Sequence, residues 1–217
     1  MIDVEGGKED LFEQIIQRLK ELKDKQFFKK IQVLYLTKCY THSDISFMVD
    51  VKDPEVLPTF ITKVILPLDG VWDIQIIPLL NPSFFQIPES FTKNDFNHFT
   101  VMLDIKPTQT EEVYKYIRRI AATEDIAITF LAYTFSSYES DIIFTLLSPD
   151  VAHAGKFIKE KIRTIDGVID SLLWEIENWE SLITDDEWID YINFFLEKNK
   201  MELDLERWEM AGFVCGC

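Results

Sequence analysis

The sequence predicts an α+β protein made of two tandem ferredoxin-like βαββαβ repeats followed by a C-terminal helix, and three observations carry that prediction. First, the hexapeptides LDGVWD (residues 68–73) and IDGVID (residues 165–170) lie 97 positions apart. At that offset, without gaps, Ser43, Asp44, Ile45, Phe47, Phe60, Ile61, Ile65, Asp69, Gly70, Val71 and Asp73 meet identical residues between Ser140 and Asp170, which marks an internal repeat. Second, the later copy reads as strand, helix, strand, strand, helix, strand. That order builds a four-stranded antiparallel sheet with two helices on one face. Third, 47% hydrophobic residues, with 17 Phe and 5 Trp in 217 residues, can fill the cores of two units of about 100 residues each.

The second unit, residues 98–180, opens on the strand HFTVMLDIK (98–106). A break at PTQT leads into the amphipathic helix EEVYKYIRRIAA, where Val113, Tyr116, Ile117 and Ile120 recur at helical spacing. DIAITFLAYTF (125–135) and DIIFTLLS (141–148) read as strands joined by SSYES, and Pro149 ends the second of them. The next helix sets Val151, Ala154, Phe157, Ile158 and Ile162 on one face. Gly167 stops it, because glycine enters a left-handed helix cap without steric cost, and VIDSLLWEI closes the unit as a strand.

The first unit, residues 1–80, runs through the helix DLFEQIIQRLKELKD, the strands KIQVLYLTKC and DISFMVDV, the helix EVLPTFITKVI and the strand VWDIQIIPLL. Its opening strand falls at MIDVEGG and is short. Residues 81–97 read as a linker, since Asn81, Pro82 and Pro88 break both periodicities. A helix over 185–199 carries Trp188, Ile189, Ile192, Phe195 and Leu196, ahead of a tail over 200–217.

Composition excludes several classes of function. A formal charge of -16 with no basic stripe repels a phosphate backbone, so direct nucleic-acid binding is not expected. No apolar run reaches membrane-span length and the N-terminus has no signal-like segment, so the expected location is the cytoplasm. Cys39, Cys215 and Cys217 make no disulfide framework. His42, His98 and His153 form no local metal-ligand pair, and neither a metal nor a cofactor is expected. A Cys39–His42 nucleophile pair has no identifiable orienter or oxyanion site, so no catalytic residue is assigned.

THSDISFMV followed by DGVWDI, repeated as SSYESDIIFTLL with DGVIDSLL, resembles the effector-binding domain of Lrp/AsnC-type transcription regulators. The resemblance spans 110 to 150 residues across both copies and lacks the helix-turn-helix that precedes such domains. It implies sheets paired as in a dimeric α+β barrel, assembly into a homo-oligomer, and an amino-acid-like small molecule bound at the turns. Candidate ligand-binding residues are then Thr41, His42, Ser43 and Asp44, with Asp69 and Gly70, in the first copy. Tyr138, Glu139, Ser140 and Asp141, with Asp166 and Gly167, are their counterparts in the second. Hydroxyls and amides there would hold a carboxylate, and aspartates an ammonium group; the same residues also satisfy ordinary turns.

Three functions follow. One is a stand-alone effector-sensing regulatory protein that acts through a protein partner. Another is a paired-barrel enzyme of the monooxygenase or haem-handling type, with His98 and His153 as its imidazoles. The last is a purely structural oligomeric scaffold.

Overall fold

The computed structural model describes residues 2–4, 11–22, 25–39, 45–88, 91, 96–120, 123, 125–135 and 140–210. The chain divides into two units, Met1–Ile77 with Trp174–Thr184 and Pro78–Leu173 with Asp185–Cys217.

The first unit contains β1 (Ile2–Val4), α1 (Leu11–Leu22), β2 (Ile31–Cys39), β3 (Ile45–Val51), α2 (Leu57–Phe60) and β4 (Val71–Ile74). Its sheet runs β4–β1–β3–β2, with antiparallel pairing throughout, and β2 also pairs with residues 176–181 of β9 (Val168–Ser181). The core forms because α1 presents Leu11, Phe12, Ile15, Ile16 and Leu19 at helical spacing. These pack on Ile31, Val33, Leu36 and Ile45 of the strands and on Phe60, Val64 and Ile65. The opening strand is present and short, as the sequence implied.

The second unit contains β5 (Leu79–Phe84), β6 (Asn97–Ile105), α3 (Thr110–Arg119), β7 (Ala127–Thr134), β8 (Ile142–Ser148), α4 (Val151–Phe157), the start of β9, and α5 (Asp185–Met210). Strands β6, β8, β7 and β5 are neighbours in that order. Phe99, Val101, Leu103 and Ile105 alternate along β6 into a core shared with Phe144, Val113, Ile117, Phe157 and Ile162. Acidic Glu111 and Glu112 in the first turn of α3, and basic Arg118 and Arg119 in its last, complement the helix dipole.

Both units thus carry the expected α+β ferredoxin-like pattern, and they share an irregularity. α2 and α4 each continue into a π-helical turn, Ile61–Ile65 and Ile158–Ile162, closed by Leu66 N–H on the Ile61 carbonyl (3.0 Å) and Arg163 N–H on the Ile158 carbonyl (2.8 Å). The ungapped offset of 97 holds from β3 and β8 onward. Upstream of them it does not: the bulges in β2 (Val33/Tyr35) and β7 (Ile128/Phe130) are 95 residues apart. The strand connection of the second copy absorbs the two extra residues.

Several local expectations change. Residues 79–84, largely inside the expected linker, form β5 on the outside of the second unit, where β5 pairs with β7. Asn81 adopts φ 50 and its neighbour Pro82 lacks an N–H, so the breakers sit within a bulge of an edge strand, a position that tolerates both. Residues 174–180 group with the first unit because they pair with β2. On α3 the buried face includes Tyr114 and Arg118, whereas Tyr116 is exposed. The reason is polar: the Tyr114 hydroxyl donates to the Asn81 carbonyl at 2.7 Å and lies 2.9 Å from Ser83 Oγ, while its ring stacks on Tyr133. On α5, Trp188, Tyr191 and Phe195 surround Phe84, and Ile189 faces solvent.

Substituting phenylalanine for Tyr114 keeps the ring stack but leaves Ser83 Oγ and the Asn81 carbonyl short of a buried partner. A loss of about 1–3 kcal/mol in urea unfolding is expected; an unchanged midpoint would show that these groups find other partners.

Candidate functional site

Among the expected turn residues, Thr41, His42, Ser43, Asp44, Tyr138 and Glu139 lie outside the described residues, as do Cys215 and Cys217. Those that are described hold backbone in place. Ser140 is buried, and its carbonyl accepts the Thr134 hydroxyl. Asp141 accepts the Ile105 N–H at 2.7 Å, which ties β6 to the β7–β8 connection.

Gly70 and Gly167 have φ of 100 and 103, the left-handed conformation expected of residues that end helices. Asp166 takes Gln109 Nε2 at 2.8 Å and Lys106 Nζ at 3.5 Å. The Gln109 hydrogen bond, then Lys106, hold the Asp166 carboxyl below the usual carboxylate range. What this pairing adds to stability is present above the ordinary aspartate range and is lost as pH falls through the lowered value. Asp69 lies in the corresponding exposed turn. Cys39 is buried on β2.

The two remaining imidazoles differ. His98 on β6 precedes Phe99 and so points away from the helix-covered face. It keeps solvent contact, yet partial dehydration holds its pKa below the usual imidazole value.

His153 stands in the first turn of α4, with its Nδ1 2.9 Å from Asp150 Oδ1, and the same carboxylate oxygen caps the helix by accepting the His153 N–H at 2.8 Å. The His153 backbone and side-chain hydrogen bonds lower the Asp150 pKa, so the carboxylate is ionised at neutral pH. An ionised carboxylate only accepts, so Nδ1 carries the proton and a neutral ring keeps its lone pair on Nε2.

Beside this pair a cavity of about 400 Å³ opens in the second unit, a size suited to a small ligand. The helix supplies His153, Lys156, Phe157, Glu160 and Lys161, spaced to share one face. Thr123, Asp125 and Ile126, just ahead of β7, form the opposite wall. No sequence motif marks this site, because its two walls are separated by two strands and their connection and become neighbours only when β7 and β8 pair.

No protein-family model matches the chain, and no curated protein matches its sequence. Solved structures do. A candidate monooxygenase of Lactobacillus acidophilus matches with a TM-score of 0.50 at 7% identity, covering 83% of this chain and 92% of its own. A candidate monooxygenase of Fusobacterium nucleatum matches with a TM-score of 0.50 at 16% identity, over 83% of this chain and 91% of its own. What the chain shares with these two structures is the fold, an α+β arrangement of tandem ferredoxin-like units. A chlorite dismutase variant from Candidatus Nitrospira defluvii also aligns, with a TM-score of 0.49 at 12% identity over 92% of this chain.

These alignments correct the Lrp/AsnC expectation. The two matches take in both units over nine-tenths of the matched chains, whereas the Asp-Gly-Val turns that suggested a regulator are accounted for by glycines that end helices. The effector-sensing function, the amino-acid-like ligand, the regulatory protein partner and the link to transcription fall with it. The homo-oligomer rested on the same resemblance. Among the described residues, no helix is long and apolar enough to cross a membrane, and no cluster of three or more His, Cys, Asp or Glu forms a metal site.

Haem is the group that the paired-barrel enzyme reading would bring, and the His153 cavity can be tested for it. An imidazole held through Nδ1 by a carboxylate would be able to ligate a haem iron. The walls do not suit a porphyrin, which needs an apolar slot on both faces: Asp125, Lys156, Glu160 and Lys161 bring charge to the cavity and only Ala152, Ile126 and Phe157 are apolar. The residues present do not fit a haem there.

Proposed function

We propose that this protein is an enzyme of the monooxygenase class, which uses molecular oxygen to oxidise a small organic substrate on a double ferredoxin-like scaffold. The observation that carries this reading is the alignment of both units, over 83% of the chain, with two candidate monooxygenases. A cavity of ligand size next to an oriented imidazole supports it, since such chemistry needs a bound substrate and a group to move its proton. A cytoplasmic location accompanies this reading.

The test is oxygen consumption by the purified full chain with a panel of small aromatic and carbonyl compounds, run with and without added haemin. Substrate-dependent uptake, with one oxygen atom found in the product by mass spectrometry, is the expected result. Uptake that appears only with haemin, together with a haem absorption band that co-purifies, would favour the haem-handling form of the enzyme. No uptake with any compound in either condition would sink the proposal.

A further inference from the structure

The repeat supplies an internal comparison for the His153 cavity. Asp53 and Asp150 are a further identity at the offset of 97, and each caps the helix that follows it. Capping therefore does not require the histidine, because Val56 stands where His153 does in the second copy. In the first copy the cap aspartate binds Lys30 at 2.6 Å. By the register of the strand bulges, Lys30 corresponds to Asp125, so Asp150 has no equivalent lysine and holds His153 instead.

The same register places Phe28 at the position of Thr123. Phe28 packs edge-on against Phe60 at 5.9 Å, filling the space above that ring. In the second copy Thr123 is too small to do so, and Phe157, the counterpart of Phe60, lines an open cavity. Thr59 and buried Val64 in the first copy become Lys156 and Lys161 in the second. A shared scaffold is thus closed over the ring in one copy, where Lys30 pairs with the cap aspartate, and open in the other, where two lysines, two carboxylates and an oriented imidazole line the space.

We infer that the cavity of the second unit binds a small phenol or enol and ionises it, with His153 as the proton acceptor. The apolar body of the ligand lies on Phe157 and Ile126, and its hydroxyl meets Nε2. The O–H bond breaks, an N–H bond forms at Nε2, and no electron leaves the pair. The product is an imidazolium held by the Asp150 carboxylate and an oxyanion near Lys156 and Lys161. Asp125 and Glu160, the other charged groups facing the cavity, keep its net charge near balance and disfavour multiply charged anions. This names a substrate class for the proposed oxidation and rests on that reading only for what happens to the anion afterwards.

The test uses 4-nitrophenol, which turns yellow on ionisation, titrated into the full chain under nitrogen. Saturable binding is expected, with the bound probe yellow at pH values where the free probe is colourless. H153Q should abolish the colour shift. D150N, which retains a competent helix cap, should reduce it, and K156A/K161A should weaken binding of the anion roughly tenfold. H98Q should leave all of this unchanged, with far-UV circular dichroism confirming that each variant is folded. A probe that does not saturate, a colour that survives H153Q, or a colour lost in H98Q would each overturn the inference. None of these readouts involves oxygen, so failure here and failure of the monooxygenase reading are distinguishable.

Discussion

Replacing Phe144 by alanine is expected to destabilise the second unit by about 3–5 kcal/mol. The ring has no solvent exposure, sits at the centre of β8, and touches the core formed by β6, β7 and the covering helices. Removing it deletes the transfer free energy of a whole aromatic side chain and leaves a cavity that strands on both sides cannot collapse to fill. The counterpart at the offset of 97, Phe47 on β3, is only partly buried against the first core, so the same substitution there should have a clearly smaller effect. Guanidinium unfolding of the two variants side by side tests both statements. A loss below about 1 kcal/mol for Phe144→Ala would mean that the core of the second unit is not closed around that ring.

Gly167→Ala is the second large effect, at roughly 2–4 kcal/mol. Two causes add. At φ 103 an L side chain is strained whatever space surrounds it, and here there is none, since a Cβ would lie 2.7 Å from both Cβ and Oε1 of Gln109. Gln109 cannot simply swing away, because its amide holds Asp166 at 2.8 Å. Gly70→Ala carries the backbone strain at φ 100 and should lose about 1–2 kcal/mol. Thermal unfolding of both variants measures the difference. Equal losses would show that Gln109 yields more easily than its hydrogen bond implies.

How much of this was legible in the sequence differs by residue. β3, β8 and the helix-ending glycines could be read because their signals are local: alternation, helical spacing, and a conformation only glycine adopts cheaply. β5 could not, because Asn81 and Pro82 signal a break and only pairing with β7 makes that break a bulge. Spacing put Tyr116 rather than Tyr114 on the buried face of α3 for a related reason, since the groups that bury the Tyr114 hydroxyl lie 31 and 33 positions away.

The cavity was the least legible feature. His153 read as a lone histidine and Asp150 carried no signal of its own, and their meaning depends on Thr123, Asp125 and Ile126 across the strand pairing. The regulator reading went astray through the opposite error: it took the Asp-Gly-Val turns for a family mark, although helix termination alone accounts for them.

The paired π-helical turns at Ile61–Ile65 and Ile158–Ile162 also fix a chronology. Such a turn amounts to one residue inserted into an α-helix, and it is retained only where the loss of regular hydrogen bonding is offset. Two separate insertions at equivalent positions of one chain would be a coincidence of place as well as kind. The simpler history puts the insertion in a single ancestral unit, before the gene doubled. The turn is therefore older than the two-unit protein, and the differences between Val56 and His153, or between Val64 and Lys161, are younger than it.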